Sequence, residues 1–135
     1  FDMKKVAAFD ENDIVRLLGD AGIVRHRGKI ASTINNAARA LELRKEFGSL
    51  AAFIWQFEPP PADRPKKMTM EILRTMTTSP ESIALSKALK NRGWSFVGPT
   101  TMYAFMQSVG LVNDHLHDCS ARAPALAARA SFEKP

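Results

Sequence analysis

The sequence of 135 residues contains a single cysteine, Cys119, and no long hydrophobic run. One cysteine excludes an internal disulfide framework and is typical of a reducing compartment, so we expect a cytoplasmic protein. No apolar stretch approaches the roughly 20 residues that a transmembrane helix needs, and no signal peptide is recognisable, so no membrane is expected among the partners. The spacing of the glycines matches neither of the two common phosphate-binding loops, that of NTPases and that of dinucleotide-binding domains. No catalytic triad is recognisable either. Both absences argue against a nucleotide-binding or triad-dependent enzyme.

The composition is that of one globular domain with an excess of positive charge. Hydrophobic residues make up 45% and charged residues 24% of the chain, which excludes general disorder. The length is sufficient for one hydrophobic core but not for two. The formal net charge of +5 favours a polyanionic partner, although charge alone does not identify one.

Helical periodicity dominates the sequence, and no alternating run of strand length occurs, which predicts an all-α fold. The longest predicted helix spans residues 27–47, ends at Gly48, and precedes a short apolar helix over residues 50–57. Four prolines predict a loop at residues 58–67. Residues 68–77 fit either a helical turn or an extended segment.

We predict a single helical domain over residues 1–122, followed by a C-terminal tail at residues 123–135. The first nine residues are interpreted as a short entry segment whose apolar run at residues 6–9 packs on the core, after which Asp10 caps a helix. The tail is expected to contain one short helix, residues 124–130, and then to fray.

Residues 81–110 are the most informative stretch, because they predict two helices joined by a tight turn. A hydroxyl cap at Ser79 followed by a proline begins the first helix. Gly93 can take the positive φ that ends this helix, and Pro99 fits the first turn of the second. Two helices joined by a turn with a glycine at each end make a helix-hairpin-helix.

The turn of this hairpin is predicted to bind a phosphate group. Its free N–H groups and those of the second helix's first turn point the same way, at the positive end of the helix dipole. Nucleic-acid backbone is the expected ligand, and the side chains of Trp94 and Phe96 are expected beneath the turn. The predicted DNA-binding residues are Lys90, Arg92, Gly93, Phe96, Gly98, Thr100 and Thr101.

A family resemblance rests on two stretches, DAGIVRHRGKIASTINNAARAL at residues 20–41 and SKALKNRGWSFVGPTTMYAFMQSVGLVNDH at residues 86–115. Both resemble the 3-methyladenine DNA glycosylase I family of the helix-hairpin-helix glycosylase superfamily, and the resemblance covers most of the chain. It implies a glycosylase-type helical domain, with alkylated double-stranded DNA as partner. It also implies base flipping and hydrolysis of the N-glycosidic bond of 3-methyladenine in base excision repair. We expect a monomer.

The resemblance begins partway into the family's sequence, because Phe1 corresponds to an interior residue there. The family's front segment carries the carboxylate and most aromatic residues of the base pocket, and we expect it to lie outside this chain or to be supplied as a separate piece. Within the chain, Tyr103 and Phe105 are the candidates for the far wall of the pocket. The alternative function is a non-catalytic helix-hairpin-helix module that binds DNA backbone.

His115 and Cys119 are the candidate metal ligands. On a helix they would share one face, but a structural zinc site needs four ligands, and such a pair alone is more often solvated or capping. In the family that the chain resembles, a histidine and a cysteine at this spacing join a cysteine and a histidine of the front segment. The resemblance therefore implies half of a structural zinc site that clamps the two termini together.

Asp114 is the one catalytic candidate. Helix-hairpin-helix glycosylases often carry an aspartate just after the second hairpin helix, where it supports positive charge on the sugar. The 3-methyladenine family is not thought to rely on this residue. We favour the alternative that Asp114 caps the turn holding His115 and Cys119 or orients His115.

A basic stretch, residues 25–29, stands at the start of the longest predicted helix. Cations are mildly unfavourable at this end of a helix dipole, which suggests a role in contacting DNA phosphate. A solvated face is the equally open alternative.

Overall fold

The computed structural model covers residues 1–135, and all of its regular elements are helices, which confirms the predicted all-α fold. No helix is both long and apolar enough to cross a lipid bilayer. The eight α-helices are α1 (Met3–Ala7), α2 (Glu11–Leu18), α3 (Arg27–Phe47), α4 (Leu50–Ile54), α5 (Met70–Thr75), α6 (Pro80–Asn91), α7 (Pro99–Ser108) and α8 (Arg122–Ser131). Short 3₁₀ turns occupy Trp55–Phe57 and Pro61–Asp63.

Side-chain caps fix the start of most helices. Asp10 accepts hydrogen bonds from the first-turn amides of α2, and Asp13 bonds back to the amide of Asp10. This reciprocal pair satisfies donors that would otherwise be orphaned at the helix start. Asp2 caps α1 by accepting hydrogen bonds from the amides of Lys4 and Lys5, so the entry segment forms a short helix that was not predicted from the sequence.

The core lies where α3, α4, α6 and α7 meet. α3 contributes Leu43, and α4 contributes Phe53, which are 2% and 3% exposed. Burial of such side chains is the main favourable term in the folding free energy. The nine residues of this core cluster are Leu43, Phe53, Leu85, Leu89, Val97, Met102, Met106, Leu111 and Val112. Val97 belongs to the turn between α6 and α7, so the core anchors that turn directly.

The ambiguous segment and the tail both form helices. Thr69 caps α5 by accepting a hydrogen bond from the amide of Ile72, which resolves residues 68–77 in favour of a helical turn. The short helix predicted at residues 124–130 is extended at both ends as α8. The four residues after α8 are irregular and exposed, and among them Lys134 pairs with Glu58, as does Arg129 of α8.

Glu58 collects the charged contacts that hold the tail. Its carboxylate is 9% exposed and pairs with Arg64 at 3.0 Å, with Arg129 at 2.7 Å, and with Lys134. Arg129 also lies over the Trp55 ring, 5.0 Å from its centroid. The hydrogen bond from Arg129, helped by those from Lys134 and Arg64, lowers the pKa of Glu58 to about 2.

Glu58 should therefore make folding stability depend on acidity. Because its folded pKa lies below the ordinary value of 4.5, its contribution is full above pH 4.5 and is lost as the pH falls through about 2. We expect Glu58→Gln to lower the free energy of unfolding by about 3 kcal/mol at pH 7, and the gap to the unsubstituted protein to close in acid. Urea denaturation between pH 2 and pH 7 measures this difference.

Glu133→Gln is the matched control, because Glu133 is an exposed carboxylate of the same tail. Its effect should stay within about 0.5 kcal/mol at every pH. A gap between the Glu58→Gln variant and the unsubstituted protein that stays constant down to pH 2 would contradict the role given to the ionised carboxylate.

Candidate nucleic-acid interface

α6, α7 and the residues between them fold as two helices with a sharp bend, as the sequence predicts. Ser79 caps α6, and Pro80 occupies its first position. Gly93 has a φ of 77°, a conformation that glycine adopts without strain, and Pro99 is the first residue of α7. We call residues 92–98 the hairpin turn.

Polar side chains of α3 bind the back of the hairpin turn. Asn36 forms two hydrogen bonds with Ser95, accepting from its amide at 3.0 Å and donating to its carbonyl at 2.9 Å. Ser32 donates to the same carbonyl at 3.1 Å. Asn35 donates to the carbonyl of Gly93 at 2.8 Å. The carbonyl oxygens of Gly93 and Ser95, which would repel a phosphate, are therefore held inward by donors of α3.

The front of the hairpin turn carries amide groups without a protein acceptor. Ser86 fixes the buried side by donating its hydroxyl to the carbonyl of Val97 at 2.6 Å. Gly98 caps α7 without any side-chain hydrogen bond. The N–H groups that make no hydrogen bond within the chain are those of Phe96, Val97, Gly98, Thr100 and Thr101. Five such donors at the positive end of α7 are suited to an anion.

The two cationic candidates differ in their surroundings. Lys90 is exposed and forms no ion pair within the chain. Arg92 donates to Glu46 at 2.9 Å and stacks its guanidinium over the rings of Phe47 and Phe53, at 5.4 and 5.2 Å from their centroids. Lys90 is thus available to an incoming anion, whereas Arg92 is already engaged with α3 and α4.

Phe96 does not lie beneath the hairpin turn, so that prediction is wrong. Its side chain is 55% exposed, and its φ of 57° is unusual for a residue other than glycine. Trp94 does pack against the core, as predicted, and Val97 is 5% exposed. These two side chains fill the space under the turn, which leaves the Phe96 ring outside.

The basic stretch at residues 25–29 has mixed roles. The His26 ring caps α3 by accepting a hydrogen bond from the amide of Lys29 at 3.2 Å. The same ring meets Phe96 edge to face, with 6.2 Å between the centroids. Arg27 pairs with Glu11 of α2. The stretch is therefore partly structural, and it lies beside the hairpin turn.

Tyr103 and Asp114 line a cavity with a volume of about 570 Å³, which lies between residues 59–68, α6, α7 and α8. The Tyr103 hydroxyl donates to a carboxylate oxygen of Asp114 at 2.7 Å, and Gln107 donates to the same oxygen at 2.8 Å. Burial, reinforced by the bond to Asp114, raises the pKa of Tyr103 well above its ordinary value. Phe105 packs against the core and does not line this cavity.

The capping role favoured for Asp114 is wrong, and Asn113 performs it. The Asn113 side chain accepts a hydrogen bond from the amide of His115 at 3.2 Å. The Asp114 carboxylate makes its hydrogen bonds to α7 and none to His115. Its second oxygen makes no hydrogen bond within the chain.

His115 and Cys119 do not lie on a helix, contrary to prediction, because Arg122 donates to the carbonyl of His115 at 2.6 Å and holds a turn instead. Their ligating atoms nevertheless converge, with Nδ1 of His115 3.7 Å from Sγ of Cys119. Two ligands of a tetrahedral zinc ion at ordinary bond lengths lie about 3.6 Å apart. The pair therefore fits two zinc positions, although no group of three or more metal-ligating side chains forms within the chain.

The polar face of α3 was missed from the sequence. Ser32, Asn35 and Asn36 lie 58 to 63 residues from the atoms that they bind. The available signal was the spacing of Ser32, Asn35 and Asn36, which places three short polar side chains on one face of a helix, opposite Ile30 and Ile34. Buried polar groups need partners, so a polar face of this kind is compatible with tertiary hydrogen bonds but does not identify their acceptors.

The fold and the site together define an all-helical domain in which a tight turn with free N–H groups joins two helices. The family model for methyladenine glycosylase matches residues 1–123, and the chain belongs to this family. The resemblance predicted from the sequence is thereby confirmed.

Individual relatives share most of this chain. It is 46% identical over 119 residues to DNA-3-methyladenine glycosylase 1 of Escherichia coli (strain K12), covering 88% of this chain and 63% of that protein. A crystal structure of 3-methyladenine DNA glycosylase I has a TM-score of 0.79 and 42% identity, covering 90% of this chain and 65% of the other.

A second solved structure describes the basis of 3-methyladenine recognition by 3-methyladenine DNA glycosylase I from Staphylococcus aureus. It matches with a TM-score of 0.78 and 33% identity, and the match covers 90% of this chain and 63% of the other. The chain thus spans slightly less than two thirds of the length of these relatives.

Proposed function

We propose that this protein is a DNA glycosylase that removes 3-methyladenine from alkylated double-stranded DNA in base excision repair. Membership of the methyladenine glycosylase family and the names of its relatives support the reaction. The observation that carries the contact with DNA is a group of five N–H donors without a protein acceptor, three in the hairpin turn and two in the first turn of α7. Three carbonyls of the turn, those of Gly93, Ser95 and Val97, are bonded to side chains of the protein. The reaction itself is proposed for the whole protein.

In this proposal the hairpin turn grips the sugar-phosphate backbone and does not read the sequence. Amides of Gly98, Thr100 and Thr101 would donate to phosphate oxygens, with the dipole of α7 behind them. Lys90 would add a cation on the approach. Binding of this kind positions the duplex with the same affinity whichever bases it contains.

Hydrolysis of the N-glycosidic bond of 3-methyladenine needs little acid catalysis. Methylation at N3 places positive charge on the adenine and weakens its bond to deoxyribose, so selecting and positioning the base does most of the work. Flipping the nucleotide out costs a few kcal/mol, and less for a poorly paired lesion. The cationic base would be held among aromatic rings near a carboxylate while water attacks the sugar.

A second candidate function is a binding module that grips DNA backbone without excision. The observation that favours it is the cavity beside α7, where Tyr103 is the one aromatic residue in the lining. Tyr103 remains a proposed pocket wall, and Asp114 remains a proposed catalytic candidate, whereas the packing of Phe105 in the core makes it a poorer wall.

Release of free 3-methyladenine from methylated duplex separates the two functions. We expect release by the chain joined to the amino-terminal segment of the Escherichia coli relative, and little or none by the 135-residue chain alone, because the proposed pocket needs aromatic residues that the cavity lacks. Chromatography of the released bases measures this. If the joined protein binds methylated duplex but releases no base, the binding module is the correct function.

Gly98 provides a direct test of the backbone grip. A Cβ added there meets no atom within 4 Å, and the φ of −62° suits any residue, so Gly98→Leu should fold normally. Its side chain would stand over the free amides. We expect the Kd for duplex to rise at least tenfold, on the scale of losing a hydrogen bond to a charged group.

Fluorescence anisotropy with methylated and unmodified duplexes measures the effect of Gly98→Leu, which should be equal for both. Ala84→Leu is the control, because Ala84 is an exposed residue of α6 outside the hairpin turn. Loss of affinity for the methylated duplex alone would show that Gly98 belongs to lesion recognition and not to a backbone grip.

We further propose that His115 and Cys119 supply two ligands of a structural zinc ion whose other ligands lie outside this chain. The 3.7 Å separation of their ligating atoms supports this assignment. When bound, zinc would tie this turn to the segment that carries the remaining ligands.

Zinc content provides the corresponding measurement. In the chain joined to the amino-terminal segment of the Escherichia coli relative, we expect one zinc per molecule, and its loss in His115→Ala and in Cys119→Ser. His117→Ala is the control, since this exposed neighbour should leave the zinc in place. Retention of zinc by Cys119→Ser would refute the assignment.

A further inference from the structure

We propose that the side chain of Phe96 is a separate DNA contact, in which its ring packs on the deoxyribose and base edge next to the phosphate bound by the hairpin turn. This inference rests on the proposed function. It assigns to the ring a role distinct from that of the Phe96 amide. The ligand is the apolar part of a nucleotide in double-stranded DNA.

The first observation is the exposure of this ring. Phe96 is the one large hydrophobic side chain of the hairpin turn that is mostly exposed, at 55%. Trp94 and Val97, on either side of Ser95 and Phe96, point into the protein. Since other side chains already fill the core beneath the turn, the Phe96 ring contributes little to the stability of the fold. It remains free to be buried against a binding partner.

The second observation is the backbone conformation that presents the ring. Phe96 has a φ of 57°, the only positive φ in the chain outside glycine. Such a conformation is strained for a bulky side chain, and strained residues are concentrated at functional sites. Glycine would adopt this φ without strain, so the phenylalanine side chain is the feature that needs a reason.

The third observation is the support that the ring receives from α3. The His26 ring meets Phe96 edge to face at 6.2 Å, while the same histidine caps α3. Gly28 leaves room for this contact, because a Cβ there would lie 3.0 Å from Cε1 of His26 and 3.6 Å from the Phe96 ring. His26 is therefore a positioning residue that holds the exposed ring on one side.

The geometry then points to the deoxyribose. The amide of Phe96 is one of the five N–H groups that make no hydrogen bond within the chain. If these groups bind a phosphate, the Phe96 ring lies within one side-chain length of it. The nearest apolar surfaces at that distance along a duplex are the deoxyribose and the edge of its base. A phenylalanine ring can bury itself there without a hydrogen-bonding partner, and the contact would not depend on sequence.

Phe96→Gly tests the ring while preserving the backbone, because glycine accepts the positive φ. In anisotropy titrations with unmodified duplex, we expect Kd to rise roughly tenfold, on the scale of burying the exposed half of a phenylalanine. The slope of log K against log salt should not change, because the ring releases no counterion. The melting temperature should stay equal or rise.

Three further variants complete the experiment. Phe96→Tyr keeps the ring and should bind within about twofold of the unsubstituted protein. His26→Asn keeps a capping acceptor but removes the ring contact, and should raise Kd by roughly threefold. Ile83→Ala removes an equally exposed apolar side chain, 51% exposed, from the far end of α6 and should change nothing.

The outcomes separate this inference from the proposed function. If Phe96→Gly binds like the unsubstituted protein while Gly98→Leu and Lys90→Ala bind weakly, the ring contact is refuted and the backbone grip stands. If Phe96→Gly changes the salt slope, the loss lies in the phosphate contacts, and the ring contact is again refuted. If neither Gly98→Leu nor Lys90→Ala weakens binding, the proposed backbone grip itself fails.

Discussion

The paired hydrogen bonds between Asn36 and Ser95 are the constraint on which the interface depends. They fix one residue of the hairpin turn at both its amide and its carbonyl, and therefore the two peptide groups that flank it, and Ser32 adds a third bond to the same carbonyl. The carbonyls of Gly93, Ser95 and Val97 accept side-chain hydrogen bonds, while the N–H groups of Phe96, Val97 and Gly98 have no partner within the chain. A loop without such support would fluctuate, so α3 fixes the orientation of the peptide groups on which the proposed phosphate contact relies.

Local signals predicted much of the fold. Caps, helix-ending glycines and the 3.6-residue period predicted α3, α6 and α7 with bounds within a residue or two of those observed. These signals work because each depends on residues close in sequence. α1 was missed since its only strong signal is one capping aspartate, Asp2, ahead of five residues.

The candidate site was only partly predictable, because its decisive contacts join distant residues. Gly93 and Gly98 predicted the bend, but nothing near Phe96 in sequence indicates that Trp94 and Val97 fill the space beneath it. The spacing of His115 and Cys119 suggested a helix, and the actual turn depends on a side chain of α8, Arg122. Tertiary partners of this kind override local preference and leave no periodic trace.

The clustering of Arg64, Arg129 and Lys134 on Glu58 has a practical consequence for handling the protein. Two of these three cations come from the last seven residues, so trimming that end would leave a desolvated carboxylate with one remaining partner. Affinity tags and fluorescent fusions are therefore better attached elsewhere or separated by a flexible spacer.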